Sequence, residues 1–195
     1  MRLISDRNIL DDVCIKFCSV LERHCEYIVV SGYVAISTGR SRGTEDIDII
    51  TQKISLSDFL TLHYALEKEG FECVQSNDPT HIYTLYLADN LPVRYILKNQ
   101  VLPEIELKMA KDILDEMQLK ERIKIPITGL PVWFSSVEYN LAFKEELLKS
   151  DKDLEDALHL RRVFEGQINE EKINSIKQLI IKLRLNNGSK QNRTN

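Results

Sequence analysis

The sequence predicts an α/β (α+β) protein: a mixed β-sheet flanked by helices, followed by an all-helical lobe. Two observations carry this. Short apolar, β-branched runs alternate with amphipathic segments up to about residue 134, and from 135 onward only helical spacing recurs. The expected organisation is therefore an α/β core over 1–134, a C-terminal helical lobe over 135–186 and a disordered, Asn/Gly/Ser-rich tail over 187–195. A length of 195 residues, 43% apolar and 29% charged, suits one domain carrying a smaller lobe.

The elements follow in order. A helix over Ile9 to about Arg23 has Asp6 or Asn8 as candidate N-cap. Tyr27-Ile28-Val29-Val30 reads as a buried strand, and Ser31-Gly32 opens a short helical segment, Tyr33 to Ile36. A polar loop from Thr38 to Glu45 leads to a second strand, Ile47-Asp48-Ile49-Ile50. Ser55 or Ser57 caps a helix to Glu69, with Gly70 just beyond its end, and Phe71 to Gln75 is a strand. Residues 83–87 and 92–97 flank Ala88-Asp89-Asn90 and are expected to form a hairpin. A helix over 105–119 and a strand over 123–127 are expected to close the core. In the lobe, Ser135 to Glu138 fits a capping box for a helix to Lys149, and Ser150 to Asp153 fits another for a helix to Glu165. A last helix starts near Asn169, with Ile173, Ile176, Ile180 and Leu183 on one face and basic residues on the other.

Charge is unevenly spread. From Lys172 to Asn195 there are six basic residues and no acid, so residues 1–171 carry −10 of a chain whose net charge is −4. An acidic body disfavours broad polyanion binding, whereas the basic end offers a local contact for RNA. No stretch reaches about 18 apolar residues, so no membrane span is expected. The first residues lack a signal-peptide core, which points to the cytosol. Cys14 and Cys18, four apart, are read as small buried thiols, the alternative being a metal site with His24 and Cys25. The four histidines fall in no triad, and neither a Walker loop nor a Gly-x-Gly-x-x-Gly turn occurs.

The chemistry-bearing stretch runs from Ser31 to Ile49. A buried strand ends in Ser31-Gly32, and thirteen residues, 33–45, separate Gly32 from Asp46-Ile47-Asp48. Alternate residues of a strand share a face, so Asp46 and Asp48 project together while Ile47 and Ile49 pack behind them. Two carboxylates on one rim suit Mg²⁺ (or Mn²⁺), which takes hard oxygen ligands and keeps positions for substrate phosphates. Glycine lets a phosphate approach the backbone at the strand-to-helix turn, and the Ser31 hydroxyl adds a donor.

This arrangement resembles the nucleotidyltransferase superfamily of the polymerase β-like fold, and within it the small prokaryotic branch of the AbiEii-type toxins. The matching motifs are Ser31-Gly32-Tyr33-Val34-Ala35, then Arg42-Gly43-Thr44-Glu45-Asp46-Ile47-Asp48, and late in the chain Lys144 with Lys152-Asp153-Leu154-Glu155-Asp156. The resemblance covers about residues 8–165. It implies an enzyme that moves a nucleoside monophosphate from an NTP to a hydroxyl of an RNA, protein or small-molecule acceptor. Asp46 and Asp48 would hold the metal and Lys144 would serve catalysis. Ser31, Gly32, Arg42, Thr44, Asp153 and Asp156 would bind the nucleotide, and the basic last helix would hold tRNA if RNA is the acceptor. For several of these residues a plainer role stays open: Arg42 as an ordinary loop charge, Lys144 as a solvated helix charge, Asp153 as a cap with Ser150, Asp156 as a partner of Lys144 or Arg161.

Two positions depart from the family pattern. Ser31 stands where the first glycine of a pair is usual. The strand over 92–96, expected to carry a third carboxylate, has none and offers Tyr95 in that place, leaving Glu104 or Glu106 as replacements. The second functional class follows from that: a nucleotide- or partner-binding module without catalysis, in a toxin–antitoxin or regulatory pair.

Overall fold

The computed structural model describes residues 8–43 and 46–191, and side chains as far as 183. It divides into two units, residues 1–135 and 136–195.

The first unit is built on a five-stranded mixed sheet. Helix α1 (Ile9–Leu21) begins with a reciprocal cap: the Asn8 side chain accepts from Asp11 N at 3.0 Å, and Asp11 accepts from Asn8 N at 3.1 Å. Then come β1 (Tyr27–Val30), α2 (Gly32–Ser37), β2 (Asp46–Thr51), α3 (Leu56–Lys68), β3 (Phe71–Cys73), α4 (Pro79–Leu85), β4 (Val93–Leu97), β5 (Glu104–Met109) and α5 (Ile113–Lys120). The sheet order is β1-β2-β5-β4-β3, with β2 and β5 parallel and the other pairs antiparallel. One face is closed by α1 and α3. Phe17 meets Phe71 edge-on at 5.0 Å and Tyr95 at 5.5 Å, and Ile47, Ile49 and Ile105 are fully buried. On the opposite face Ile28, Ile50, Ala110 and Leu119 cluster, with Val30 against them, so α5 covers one end of that face.

Three expectations are corrected. Residues 83–87 form no hairpin strand; they complete α4 and a following turn. Asp78 accepts from Thr80 N at 2.8 Å and Pro79 occupies the first turn, and this cap outweighs the β-forming side chains. The helix expected over 105–119 is two elements, because residues 104–109 enter the sheet between β2 and β4. The strand expected over 123–127 reduces to a bridge between Ile123 and Phe134, after which Pro126 starts a single 3₁₀ turn. Asp6, one of the two candidate caps, lies outside the described residues.

The second unit is helical: α6 (Val137–Ala142), a π-helical turn (Phe143–Leu148), α7 (Asp151–Val163) and α8 (Glu170–Gln191). Ser136 caps α6, its hydroxyl donating to Glu138 at 2.8 Å rather than closing a capping box. Ser150 caps α7 by accepting from Asp153 N. Ile173, Ile176 and Ile180 of α8 are buried, as their spacing predicts. The backbone of α8 continues through Gln191, and Asn192 to Asn195 lie outside the described residues.

Candidate functional site

Alternation on β2 does what the sequence demands. Asp46 is exposed and Asp48 half-buried, while Ile47 and Ile49 are fully buried behind them. The strand beside β2 repeats the pattern: on β5, Glu104 and Glu106 are half-buried and Ile105 and Leu107 buried. The parallel register sets Asp46 beside Glu104 and Asp48 beside Glu106. Neighbouring strands lie about 4.8 Å apart, so four carboxylates occupy a two-by-two patch on the end of the face that α5 leaves open. β5, the parallel neighbour of β2, thus sets Glu104 and Glu106 beside the two aspartates. The strand over 92–96 is one position further out. There Tyr95 faces the core, its hydroxyl 2.9 Å from His63 Nδ1, while Arg94 faces the acids.

Arg94 lies directly across from Glu106, with Nε 3.4 Å from Glu104 and Nη2 3.8 Å from Glu106. Burial, and then the negative charge of Asp48, push the Glu106 carboxyl above the ordinary carboxylate range, and Arg94 and Lys108 oppose the shift. Hard oxygen donors are the kind Mg²⁺ or Mn²⁺ takes, and Asp46, Asp48 and Glu106 are the side chains of this face that could supply them. Among the described residues, no group of three or more His, Cys, Asp or Glu side chains is placed to hold a metal ion.

The strand-to-helix turn stands at the same end of the sheet. Val30, the last residue of β1, pairs with Asp48, and Ser31 follows it. Ser31 has φ +66° and ψ −138°, a conformation that favours glycine. Gly32 is buried beneath Arg42: a Cβ there would meet the guanidinium carbon and Nη1 at 3.0 Å. Arg42 also lines an open cleft of about 600 Å³ with Arg40, Ser37, Thr38, Ser41 and Asn8, a surface rich in donors for an anion. Thr44 lies outside the described residues.

The late motif is brought together within the helical unit. Lys144 is buried at 1% exposure, donating to Asp156 at 2.8 Å and to Asp153 at 3.3 Å. The π turn that carries Lys144 is closed by Lys149 N bonding to Lys144 O at 3.1 Å. Asp153 also bonds the Ser150 hydroxyl, and Asp156 is fully buried. Cys14 and Cys18 are buried with their Sγ atoms 3.9 Å apart.

Sequence reasoning named Glu106 only as an alternative and passed over Arg94. The signal for Glu106 was present: Glu104-Ile-Glu-Leu-Lys-Met109 alternates polar and apolar at every position, the period of a half-buried strand.

No family model and no curated protein matches the sequence. Among solved structures, the chain is similar to the solution structure of the antibiotic-resistance factor ANT(2″)-Ia, with a TM-score of 0.59 at 12% identity over 94% of this chain and 97% of that one. It is also similar to the crystal structure of ANT(2″)-Ia in complex with adenylyl-2″-tobramycin, with a TM-score of 0.51 at 15% identity over 91% and 99%. The likeness extends over nearly the whole of both chains and establishes a nucleotidyltransferase-like fold. Among the described residues, no helix is long and apolar enough to cross a membrane.

Proposed function

We propose that this protein is a metal-dependent nucleotidyltransferase that moves a nucleoside monophosphate from an NTP to a hydroxyl of a small-molecule acceptor. The observation that carries the reading is the parallel register that puts Glu106 beside Asp48, supplying the third carboxylate. It favours catalysis over a binding module that has lost that acid. Asp46, Asp48 and Glu106 would hold Mg²⁺, which when bound supplies charge neutralisation at the phosphates. Ser31 and the backbone at Gly32 receive the triphosphate, and Arg42, seated on Gly32, holds it by charge-assisted hydrogen bonds. The Lys144–Asp156–Asp153 group anchors the helical unit in this reading. The acceptor class is supported by the adenylylated tobramycin named for the similar structure. The AbiEii-type resemblance makes RNA the alternative acceptor.

The test is incubation with Mg²⁺ and each α-labelled NTP in the presence of aminoglycosides, bulk tRNA or the protein alone. Label is expected on a small molecule and lost in Asp48→Asn. Label that persists in the Asp46→Asn/Asp48→Asn double variant sinks the assignment, and label on tRNA moves the acceptor to RNA.

A further inference from the structure

Arg94 faces the acidic patch and has no part in the chemistry above. Arg94 stands on β4 across from Glu106, and Glu106 stands beside Asp48, so one row of the sheet reads Arg94, Glu106, Asp48. The guanidinium is shared between both acids of β5, at 3.4 Å from Glu104 and 3.8 Å from Glu106. The side chain is 50% exposed, and an exposed pair at these lengths adds little to stability. Its position matters more than its strength, because it reaches the same Glu106 carboxylate that the metal reading needs.

We propose that Arg94 is a positioning residue that competes with the divalent cation for Glu106. The inference rests on the reading of Asp46, Asp48 and Glu106 as the metal-binding face. A doubly charged ion between Asp48 and Glu106 is repelled by a guanidinium one strand away, and a guanidinium held on Glu106 draws off part of the negative charge that the ion would meet there. Arg94 therefore weakens metal binding and holds Glu106 away from Asp48 until the ion outbids it. Glu104 gives the guanidinium a second seat, to which it retreats while staying within the site. A planar fork spans two carboxylates where an ammonium serves one, so lysine at this position keeps the charge and loses the two-seat arrangement.

The test is calorimetric titration of Mn²⁺ alone, without nucleotide, into the full-length wild type, Arg94→Met, Arg94→Lys and Asp48→Asn. Arg94→Met is expected to bind Mn²⁺ about fivefold more tightly than wild type. Arg94→Lys is expected to fall between the two, and Asp48→Asn to lose binding. A purely structural Arg94 would give a lowered melting temperature with no gain in Mn²⁺ affinity. Should Arg94→Met not fold, Arg94→Gln carries the same expectation. Equal or weaker Mn²⁺ binding in the folded Arg94 variant, with binding still lost in Asp48→Asn, overturns the competition and leaves the metal face standing. Wild-type Mn²⁺ binding that Asp48→Asn does not reduce overturns both.

Discussion

Ser31 and Gly32 divide the work of the strand-to-helix turn between conformation and space. Ser31 carries a Cβ at φ +66°, a region that disfavours any L side chain by about 1–3 kcal/mol. Ser31→Gly is therefore expected to stabilise the chain by about 1 kcal/mol, after the extra entropy that glycine loses on folding, as measured by urea unfolding. A loss of stability would contradict the strain. At Gly32 the issue is contact rather than φ. Gly32→Ala pushes against the end of a flexible arginine, so the melting temperature is expected to stay nearly unchanged while the KM for NTP rises through displacement of Arg42. At this scale the shared face of the two aspartates was legible. Asp46 and Asp48 are separated by one isoleucine and followed by another, and only a strand with one buried face gives that pattern a structural meaning. The strain at Ser31 was not legible, because φ is fixed by the meeting of β1 and α2 and not by the residue.

Elements decide which acids meet. β5 was missed because Glu, Leu, Lys and Met are good helix formers and no glycine or proline separates 104–109 from α5. Its two-residue alternation won because both flanking positions in the sheet, beside β2 and β4, were there to satisfy its backbone. The hairpin reading failed for the opposite reason, since a local cap at Asp78-Pro79 overrode strand propensity. Two predictions belong here. Lys144 and Asp156 form a buried pair, so Lys144→Met leaves a carboxylate in the interior of the helical unit and is expected to cost about 3–5 kcal/mol. Combining it with Asp156→Leu should recover most of that loss in chemical unfolding, and no recovery would contradict the pairing. His63 joins α3 to β4 through Tyr95, and burial holds its pKa below the ordinary histidine value, with Glu67 opposing. The folded state thus binds its proton less readily than the unfolded chain. Its stabilising contribution is full above about pH 6.5 and is lost as pH falls towards the depressed value. The melting temperature is expected to drop through that window, and His63→Gln to flatten the drop.

At the scale of the whole molecule, the charge split acquires a more limited meaning. Part of the negative charge of residues 1–171 is the carboxylate patch itself, where a divalent ion would reverse the local field. Part of the positive end is engaged within the helical unit. Lys177 bonds Glu145 at 2.5 Å, Arg161 bonds the same carboxylate at 2.6 Å, and Lys172 lies over the Tyr139 ring at 5.7 Å. Burial alone would raise the Glu145 carboxyl, but the bonds from Arg161 and Lys177 outweigh it and hold it below its ordinary value. Lys177→Gln is therefore expected to lower the melting temperature, and the Lys177→Gln/Lys182→Gln pair to leave tRNA retention on filters unchanged. A clear fall in tRNA retention by that pair, with the fold intact, would return RNA to the account as acceptor. The sequence displayed these charges and their count, but which of them are engaged in the interior of the unit depends on how α6, α7 and α8 pack.

The central claim is that Glu106, delivered by β5, completes the carboxylate set begun by Asp46 and Asp48. The most direct measurement is Mg²⁺-dependent transfer of label from an α-labelled NTP by the wild type, Glu106→Gln and Glu104→Gln under identical conditions. Glu106→Gln is expected to lower kcat by about a hundredfold, roughly 2.7 kcal/mol of transition-state stabilisation, while Glu104→Gln keeps most of the activity. Equal activity in wild type and Glu106→Gln would contradict the account.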